Sequence, residues 1–108
     1  MAISVGRVGQ KITIRIERQF GGADSDELQR LVRELLTQDA TEFIVDFAEA
    51  GYIDSRGLGA LVAVAKQIRG RGASMRLMNL NSELRQLFAL TRLDGLFDIG
   101  PDGGPHAA

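Results

Sequence analysis

Apolar and polar residues alternate regularly near the start of the chain. Three isoleucines alternate with three polar residues from Ile12 to Glu17. A period of two predicts a strand with one buried face. Residues 3–8 precede this strand and are separated from it by Gly9 and Gln10, so the two segments are predicted to pair as a hairpin.

Three later segments also predict strands. Residues 43–47 read Phe-Ile-Val-Asp-Phe and are nearly all apolar, which is typical of a strand covered on both faces. Residues 75–78 predict another strand, and residues 96–99 predict a short last one. Each of these segments is shorter than the helical segments that precede it.

Apolar residues recur at helical spacing in three segments. The first helix is predicted to begin at Asp24, with Glu27 completing a capping box. The second begins with Ser55 as a possible cap, and Asn81 or Ser82 can cap the third. Each helix has one apolar stripe: Leu28, Leu31, Val32, Leu35 and Leu36 in the first, Leu58, Leu61, Val62, Ala65 and Ile68 in the second, and Leu84, Leu87 and Phe88 in the third.

The predicted elements follow the order β-β-α-β-α-β-α-β. The strand at 43–47, the helix at 55–69 and the strand at 75–78 form a parallel crossover unit, which is expected to be right-handed. We therefore predict an α/β fold with a single mixed β-sheet and helices packed on it. Residues 1–99 are expected to form one domain, and the Gly- and Pro-rich residues 100–108 a disordered tail.

Composition and charge exclude several classes of function. The net charge is −1 and there is no basic block, so nucleic-acid binding is not expected. The chain has no cysteine and its single histidine, His106, lies in the predicted tail. No nucleotide loop or metal-ligand spacing is present, so neither an enzyme nor a cofactor or metal site is expected. No apolar run could span a membrane and no signal peptide is evident, which favours the cytoplasm.

The segment that opens the second helix is the most informative one. It reads Asp54-Ser55-Arg56-Gly57-Leu58-Gly59 and follows a buried strand, at the end of the sheet where ligands and partners usually bind. Each glycine costs about 1 kcal/mol relative to alanine within a helix. One interpretation is that Gly57 and Gly59 permit close approach by another molecule.

A second interpretation concerns the face of this helix opposite its apolar stripe. At 100° per residue, that face collects five residues, three of them Gly or Ala: Arg56, Gly59, Ala60, Ala63 and Gln67. A flat surface of this kind suits docking by a partner. The alternative is that the small residues let a neighbouring element of the same domain pack closely, and the sequence leaves both open.

Ser55 also has two interpretations. As a helix N-cap it would contribute about 1 kcal/mol, which alone explains a serine there. As a phosphoacceptor it would carry a phosphate that a helix N-terminus tolerates, while the added charge blocks docking nearby. From the chemistry of the residue alone, the cap is favoured.

The six residues from Asp54 to Gly59 resemble the Asp-Ser-(Ser/Thr)-Gly-Leu-Gly signature of bacterial STAS-domain anti-sigma-factor antagonists. The strand at 43–47 and the segment Leu93-Asp94-Gly95-Leu96-Phe97 are also similar to that family, and the resemblance covers residues 3–99. It implies a STAS-like fold. The chain departs from the family signature at Arg56, where Ser or Thr is usual, and at the entry to the first helix.

The resemblance implies a phosphoregulated partner switch. The unphosphorylated protein would bind a serine-kinase anti-sigma factor and so release a sigma factor; the kinase would phosphorylate Ser55, and a serine phosphatase would restore binding. Asp54 would shape the acceptor site, and Gly57, Leu58 and Gly59 would lie at the interface or support it. The main alternative is a constitutive STAS binding module in a larger signalling, secretion, biofilm or lipid-transport assembly. The oligomeric state stays open, with a dimer as one option.

Overall fold

A computed structural model describes residues 3–95 and 97–100 of the chain. Within them, eight strands and helices follow one another in the predicted order: β1 Ile3–Val8, β2 Lys11–Phe20, α1 Ala23–Thr37, β3 Glu42–Ile53, α2 Ser55–Gly70, β4 Ser74–Met78, α3 Ser82–Leu90 and β5 Asp98–Ile99. A single 3-10 turn, Leu93–Gly95, joins α3 to the last strand. The α/β prediction is confirmed.

The strands form one mixed sheet in the order β1-β2-β3-β4-β5. β1 and β2 pair antiparallel as the predicted hairpin, and Gly9 turns the chain between them with a φ of 62°, which favours glycine. The other neighbours pair parallel, so that Val45 lies opposite both Ile14 and Leu77. Parallel pairing places the carboxyl ends of β2, β3 and β4 at one edge of the sheet.

The core lies between one face of the sheet and the helices. Ile12, Ile14 and Ile16 are fully buried on that face, beside Phe43 and Val45 of β3. Burying side chains of this size contributes about 1.5–3 kcal/mol each. The expectation that β3 is covered on both faces is wrong, because Ile44 and Asp46 point away from the helices and are only half-buried.

The caps of two helices show how local chemistry sets their starts. α1 begins one residue before the predicted Asp24, after Gly22, whose φ of 54° favours glycine, and no side chain caps it. Asp24 and Asp26 lie in the first turn, where the helix dipole favours carboxylates. α3 begins as predicted, since the side chain of Asn81 accepts a 2.8 Å hydrogen bond from the backbone N–H of Leu84.

The end of the described chain packs against β4 and α3. The Phe97 ring lies edge-on to Phe88 with ring centres 5.5 Å apart. Gly100 is buried, and its N–H donates to the Leu77 carbonyl at 2.8 Å. Gly100 therefore belongs to the folded part, which corrects the predicted start of the tail. Leu96, at the start of the predicted last strand, and residues 101–108 of the predicted tail, including His106, lie outside the described residues.

Candidate functional site

The candidate site lies where β2 and β3 end and α1 and α2 begin. Both helices begin at this edge because each connects two parallel strands. A depression of about 310 Å³ lies at the edge. It is lined by the ends of both strands and the starts of both helices: Gln19, Phe20, Gly21, Gly22, Asp24, Tyr52 and Asp54.

Asp54, rather than Ser55, is the N-cap of α2. Its Oδ1 accepts a 2.8 Å hydrogen bond from the backbone N–H of Gly57, and its own N–H donates to the Phe20 carbonyl at 3.0 Å. A Cβ at Gly21 would overlap the Asp54 carboxylate, so the glycine makes room for the cap. The interpretation of Ser55 as the cap is therefore wrong, because the residue before it already satisfies the first turn of the helix.

Ser55 is the first residue of α2 and is exposed. Among the described residues, its hydroxyl makes no hydrogen bond, in contrast to the neighbouring carboxylate. It stands beside a helix N-terminus, where unpaired backbone N–H groups and the helix dipole favour negative charge. α2 has no acidic residue in its first turn. The geometry thus offers a free hydroxyl at a position that accommodates an anion.

Arg56 follows Ser55 and points to α1. Its guanidinium Nη2 lies 3.6 Å from Oδ2 of Asp26, and both side chains are well exposed. An exposed ion pair of this kind contributes little to stability. Arg56 therefore links the starts of the two helices without being fixed there, and it leaves the Ser55 hydroxyl unobstructed.

The exposed face of α2 is rotated from the predicted one. Ala60, predicted to face outward, is 1% exposed, and Gly57 is buried too, while Leu58 and Val62, predicted to face inward, are half-buried. The cause is Phe20: a Cβ at Gly57 would lie 2.5 Å from its carbonyl oxygen, so the backbone of α2 packs directly on β2 at this point. The close approach that Gly57 permits is internal to the domain.

A line of residues spaced three or four positions apart runs along the outer side of α2. We call it the α2 ridge: Ser55, Gly59 and Lys66 are exposed, and Val62 is half-buried. Ala63 and Gln67 flank it and are also half-buried. Of the predicted docking face, Gly59 and Arg56 are exposed as expected. Val62 and Lys66 are missing from the predicted face. The small size of Gly57 and Ala60 could have indicated the side of α2 that packs against the sheet, and therefore which residues lie on the opposite side.

Asp54→Ala is expected to lower the free energy of unfolding by about 1 kcal/mol, the usual contribution of a side-chain N-cap. Asp54→Asn should retain most of that stability, because an amide oxygen can still accept from the Gly57 N–H. Urea unfolding measures both values. Asn81→Ala, which removes the equivalent cap of α3, is the matched control. An unchanged stability in Asp54→Ala alone would contradict the assignment of the cap.

The described part of the chain shows neither a metal-binding cluster nor a membrane-spanning helix. Residues 3–95 and 97–100 contain no cluster of three or more His, Asp or Glu side chains arranged to hold a metal ion. In the same residues, no helix combines the length and apolar character needed to cross a membrane.

Comparison with known proteins identifies the fold and its family. The family model described as "Mlab, STAS domain" matches residues 3–99. The chain belongs to the STAS-domain family. A STAS-domain containing protein of Pseudomonas aeruginosa (strain UCBPP-PA14) is 33% identical over 92 residues, which cover 84% of this chain and 89% of that protein. An anti-sigma-B factor antagonist of Bacillus subtilis (strain 168) is 33% identical over 64 residues, 59% of each.

The solved structure of the anti-sigma factor antagonist SpoIIAA in its unphosphorylated form is similar, with a TM-score of 0.76 and 17% identity over 93% of this chain and 88% of that one. The phosphorylated form of SpoIIAA from Bacillus gives a TM-score of 0.75 at 17% identity, over 94% of each chain. The resemblance inferred from residues 54–59 is confirmed. STAS domains of this type are non-enzymatic regulatory modules, which confirms the prediction that the chain is not an enzyme.

Proposed function

We propose that this STAS-domain protein is a phosphoregulated partner switch with Ser55 as its phosphoacceptor. The observation that carries the proposal is the position of Ser55. Its hydroxyl is exposed at the first residue of α2, and Asp54 performs the capping that would otherwise explain a serine there. A serine with no structural task at a helix N-terminus is suited to reversible modification.

The partners proposed are those of the related antagonists. In the unphosphorylated state the protein binds a serine-kinase anti-sigma factor in the cytoplasm and so releases a sigma factor. The kinase phosphorylates Ser55, and a serine phosphatase reverses the modification. Support comes from relatives that are named anti-sigma-B factor antagonists, and from SpoIIAA, which has the same fold and has been solved in both unphosphorylated and phosphorylated forms.

The surroundings of Ser55 explain how a phosphate would change binding without unfolding the domain. A phosphate adds a charge of about −1.5 to −2. Backbone N–H groups at the start of α2 can donate hydrogen bonds to the phosphate, and Arg56 is close in sequence and loosely held. Asp24, Asp26 and Asp54 already make this edge acidic. Added charge and bulk at one end of the α2 ridge would therefore repel a partner that fits the unmodified surface.

The partner surface that we propose consists of the exposed and half-buried residues of the predicted one. It comprises Asp54, Arg56, Leu58, Gly59, Ala63 and Gln67, together with the α2 ridge. Gly57 and Ala60 lie behind this surface and shape it from within, because they set the distance between α2 and the rest of the domain.

A second candidate function is a constitutive STAS binding module in a larger assembly, not phosphorylated. Two observations favour it. The family model that matches carries the description "Mlab, STAS domain", and Arg56 occupies the position where the antagonist signature has a small hydroxyl residue. In this alternative the same surface binds one partner permanently, and Ser55 is a surface residue.

Intact-mass and tandem mass spectrometry of the protein purified from its own cells, with an affinity pull-down in the same preparation, tests the proposal. We expect a phosphate on Ser55 in part of the population and a serine kinase that co-purifies with the unmodified form. Absence of the phosphate under every growth condition tested, with a partner still attached, would reject the switch in favour of the constitutive module.

A further inference from the structure

A groove runs between the C-terminal halves of α1 and α2. We call it the α1–α2 groove; its volume is about 330 Å³ and it is lined by Arg33, Leu36, Lys66, Gln67, Gly70 and Arg71. Leu36, only 7% exposed, forms its apolar floor, and the space outside Gly70 is open. Three of the six lining residues are cations and none is a carboxylate.

Contacts and helix dipoles within the domain do not account for Arg33 and Lys66. Both lie before the last turns of their helices; the last turn of α1 has no basic residue, and that of α2 has Arg69. Compensation of the helix dipole is confined to the end of a helix, so it can explain Arg71, the C-cap residue of α2, but not the other two cations. Within the described residues, none of Arg33, Lys66 and Arg71 has a carboxylate oxygen within 4.0 Å.

Different charges lie at the two ends of the helix pair. Asp24, Asp26 and Asp54 lie at the N-terminal end, beside Ser55 and Arg56, and the three groove cations lie at the C-terminal end. Lys66 belongs both to the groove and to the α2 ridge. At 1.5 Å per residue, it lies about 16 Å along the helix axis from Ser55. The α2 ridge thus runs from the surroundings of Ser55 to the groove.

We infer that the α1–α2 groove docks an acidic segment of the partner protein. An apolar side chain of that segment would contact Leu36, while flanking carboxylates would pair with Arg33, Lys66 and Arg71. The Oε1 atom of Gln67 is buried without a hydrogen-bond partner among the described residues, and a donor on the segment would satisfy it after a small rotation of the amide. The inference rests on the proposed function for the existence of a partner on α2, and it adds where and how that partner binds.

The shape of the groove favours a protein segment over other anions. Nucleic-acid binding requires an extended basic stripe, and here the cations form one short cluster in a chain of net charge −1. A membrane surface would need an exposed apolar face, whereas Leu36 lies at the floor between two helices. A single side chain can reach that floor, and a lipid bilayer cannot.

Site-specific photo-crosslinking in the native cells tests the inference. The photoreactive residue p-benzoylphenylalanine replaces Gly70 in the groove, Gly59 on the α2 ridge, or Gly6 on the far face of the sheet; at all three glycines a side chain would enter open space. We expect the Gly70 and Gly59 positions to capture the same protein, and the peptide captured from Gly70 to carry an excess of Asp and Glu. The Gly6 position serves as the background control.

Charge reversal supplies the second arm of the test. Arg33→Glu with Lys66→Glu is expected to reduce the adduct at Gly70 at least tenfold, since like charges across an interface oppose binding. Lys11→Glu with Arg76→Glu, an equal change of charge on exposed residues of the sheet, should leave it unchanged. Circular dichroism verifies the fold of each variant.

The outcomes separate this inference from the proposed function. An adduct at Gly59 without one at Gly70 overturns the groove and leaves the partner switch intact. A Gly70 adduct with a basic segment, a lipid, a nucleic acid or a second copy of this chain also overturns it, as does an adduct that survives charge reversal. An acidic segment captured at Gly70 alone supports the groove and counts against docking at Ser55. No adduct at either position counts against both.

Discussion

Ser55→Asp is expected to lower the affinity for the partner at least tenfold and to leave the free energy of unfolding within about 0.5 kcal/mol of the unmodified protein. The loss of affinity follows from a fixed negative charge on the α2 ridge, beside Asp24, Asp26 and Asp54, where it adds to an acidic surface. Tenfold corresponds to about 1.4 kcal/mol. Stability is preserved because the helix dipole favours a carboxylate in the first turn and the Asp54 cap stays in place.

The chain contains a closely matched control for this variant. Ser82 is the first residue of α3, is exposed, and follows a side-chain cap, Asn81, just as Ser55 follows Asp54. Ser82→Asp therefore introduces the same charge in the same local geometry, away from the proposed surface, and should leave binding unchanged. Ser55→Ala should also bind normally, because it removes the hydroxyl without adding charge.

Isothermal titration calorimetry with the kinase recovered in the pull-down measures these affinities, and urea unfolding measures stability. An affinity of Ser55→Asp equal to that of the unmodified protein would show that negative charge at Ser55 has no effect on docking. A comparable loss in Ser55→Asp and Ser82→Asp would point instead to net charge. Only a loss specific to Ser55 supports the switch.

Local patterns predict most of this fold. The alternation from Ile12 to Glu17 gives β2 and its buried face, because successive side chains in a strand necessarily point to opposite sides. Asn81 predicts the start of α3 correctly, because the capping hydrogen bond joins its side chain to a backbone N–H only three residues further along the chain. The order of the elements, with right-handed parallel crossovers, then leaves few arrangements for the sheet.

The predictions that the structure contradicts concern places where segments far apart in the sequence come into contact. The start of α2 depends on Phe20, whose carbonyl accepts from the Asp54 N–H, and on Gly21, which makes room for the Asp54 carboxylate. No pattern within residues 54–59 contains that information, so the sequence alone favoured Ser55 as the cap. Likewise, the periodicity of α2 favoured Leu58 and Val62 as inward residues because they are larger and more apolar than Gly57 and Ala60.

The sequence predicts where the site lies, but it does not assign a role to each residue there. The signature from Asp54 to Gly59 predicts a site at the start of α2, and in the structure Asp54 lines the depression at that end of the sheet. It cannot distinguish a cap from a free hydroxyl, since serine suits both. The α1–α2 groove has no sequence signature, because Arg33 and Lys66 become neighbours only when the two helices pack side by side.

Gly57→Ala is expected to lower the free energy of unfolding by about 2 kcal/mol, although alanine is the better helix former by about 1 kcal/mol. The added methyl would lie 2.5 Å from the Phe20 carbonyl oxygen, 2.8 Å from its ring and 3.1 Å from a methyl of Ile53. The two contacts with Phe20 are too short to keep, and the backbone oxygen cannot rotate away. α2 must therefore move outward from β2, at a cost typical of an overpacked core.

Gly59→Ala is the matched control, two residues further along the same helix. Its methyl would enter open space, so this variant should gain about 0.5–1 kcal/mol from helix propensity. Urea unfolding of the two variants measures the difference, which we expect to be about 3 kcal/mol. Equal stabilisation by both would show that α2 tolerates a side chain against Phe20, and Gly57 would then be explained by contact with a partner instead. A large difference would show that Gly57 serves the packing that holds Ser55 in place, while Gly59 is the glycine available to the partner.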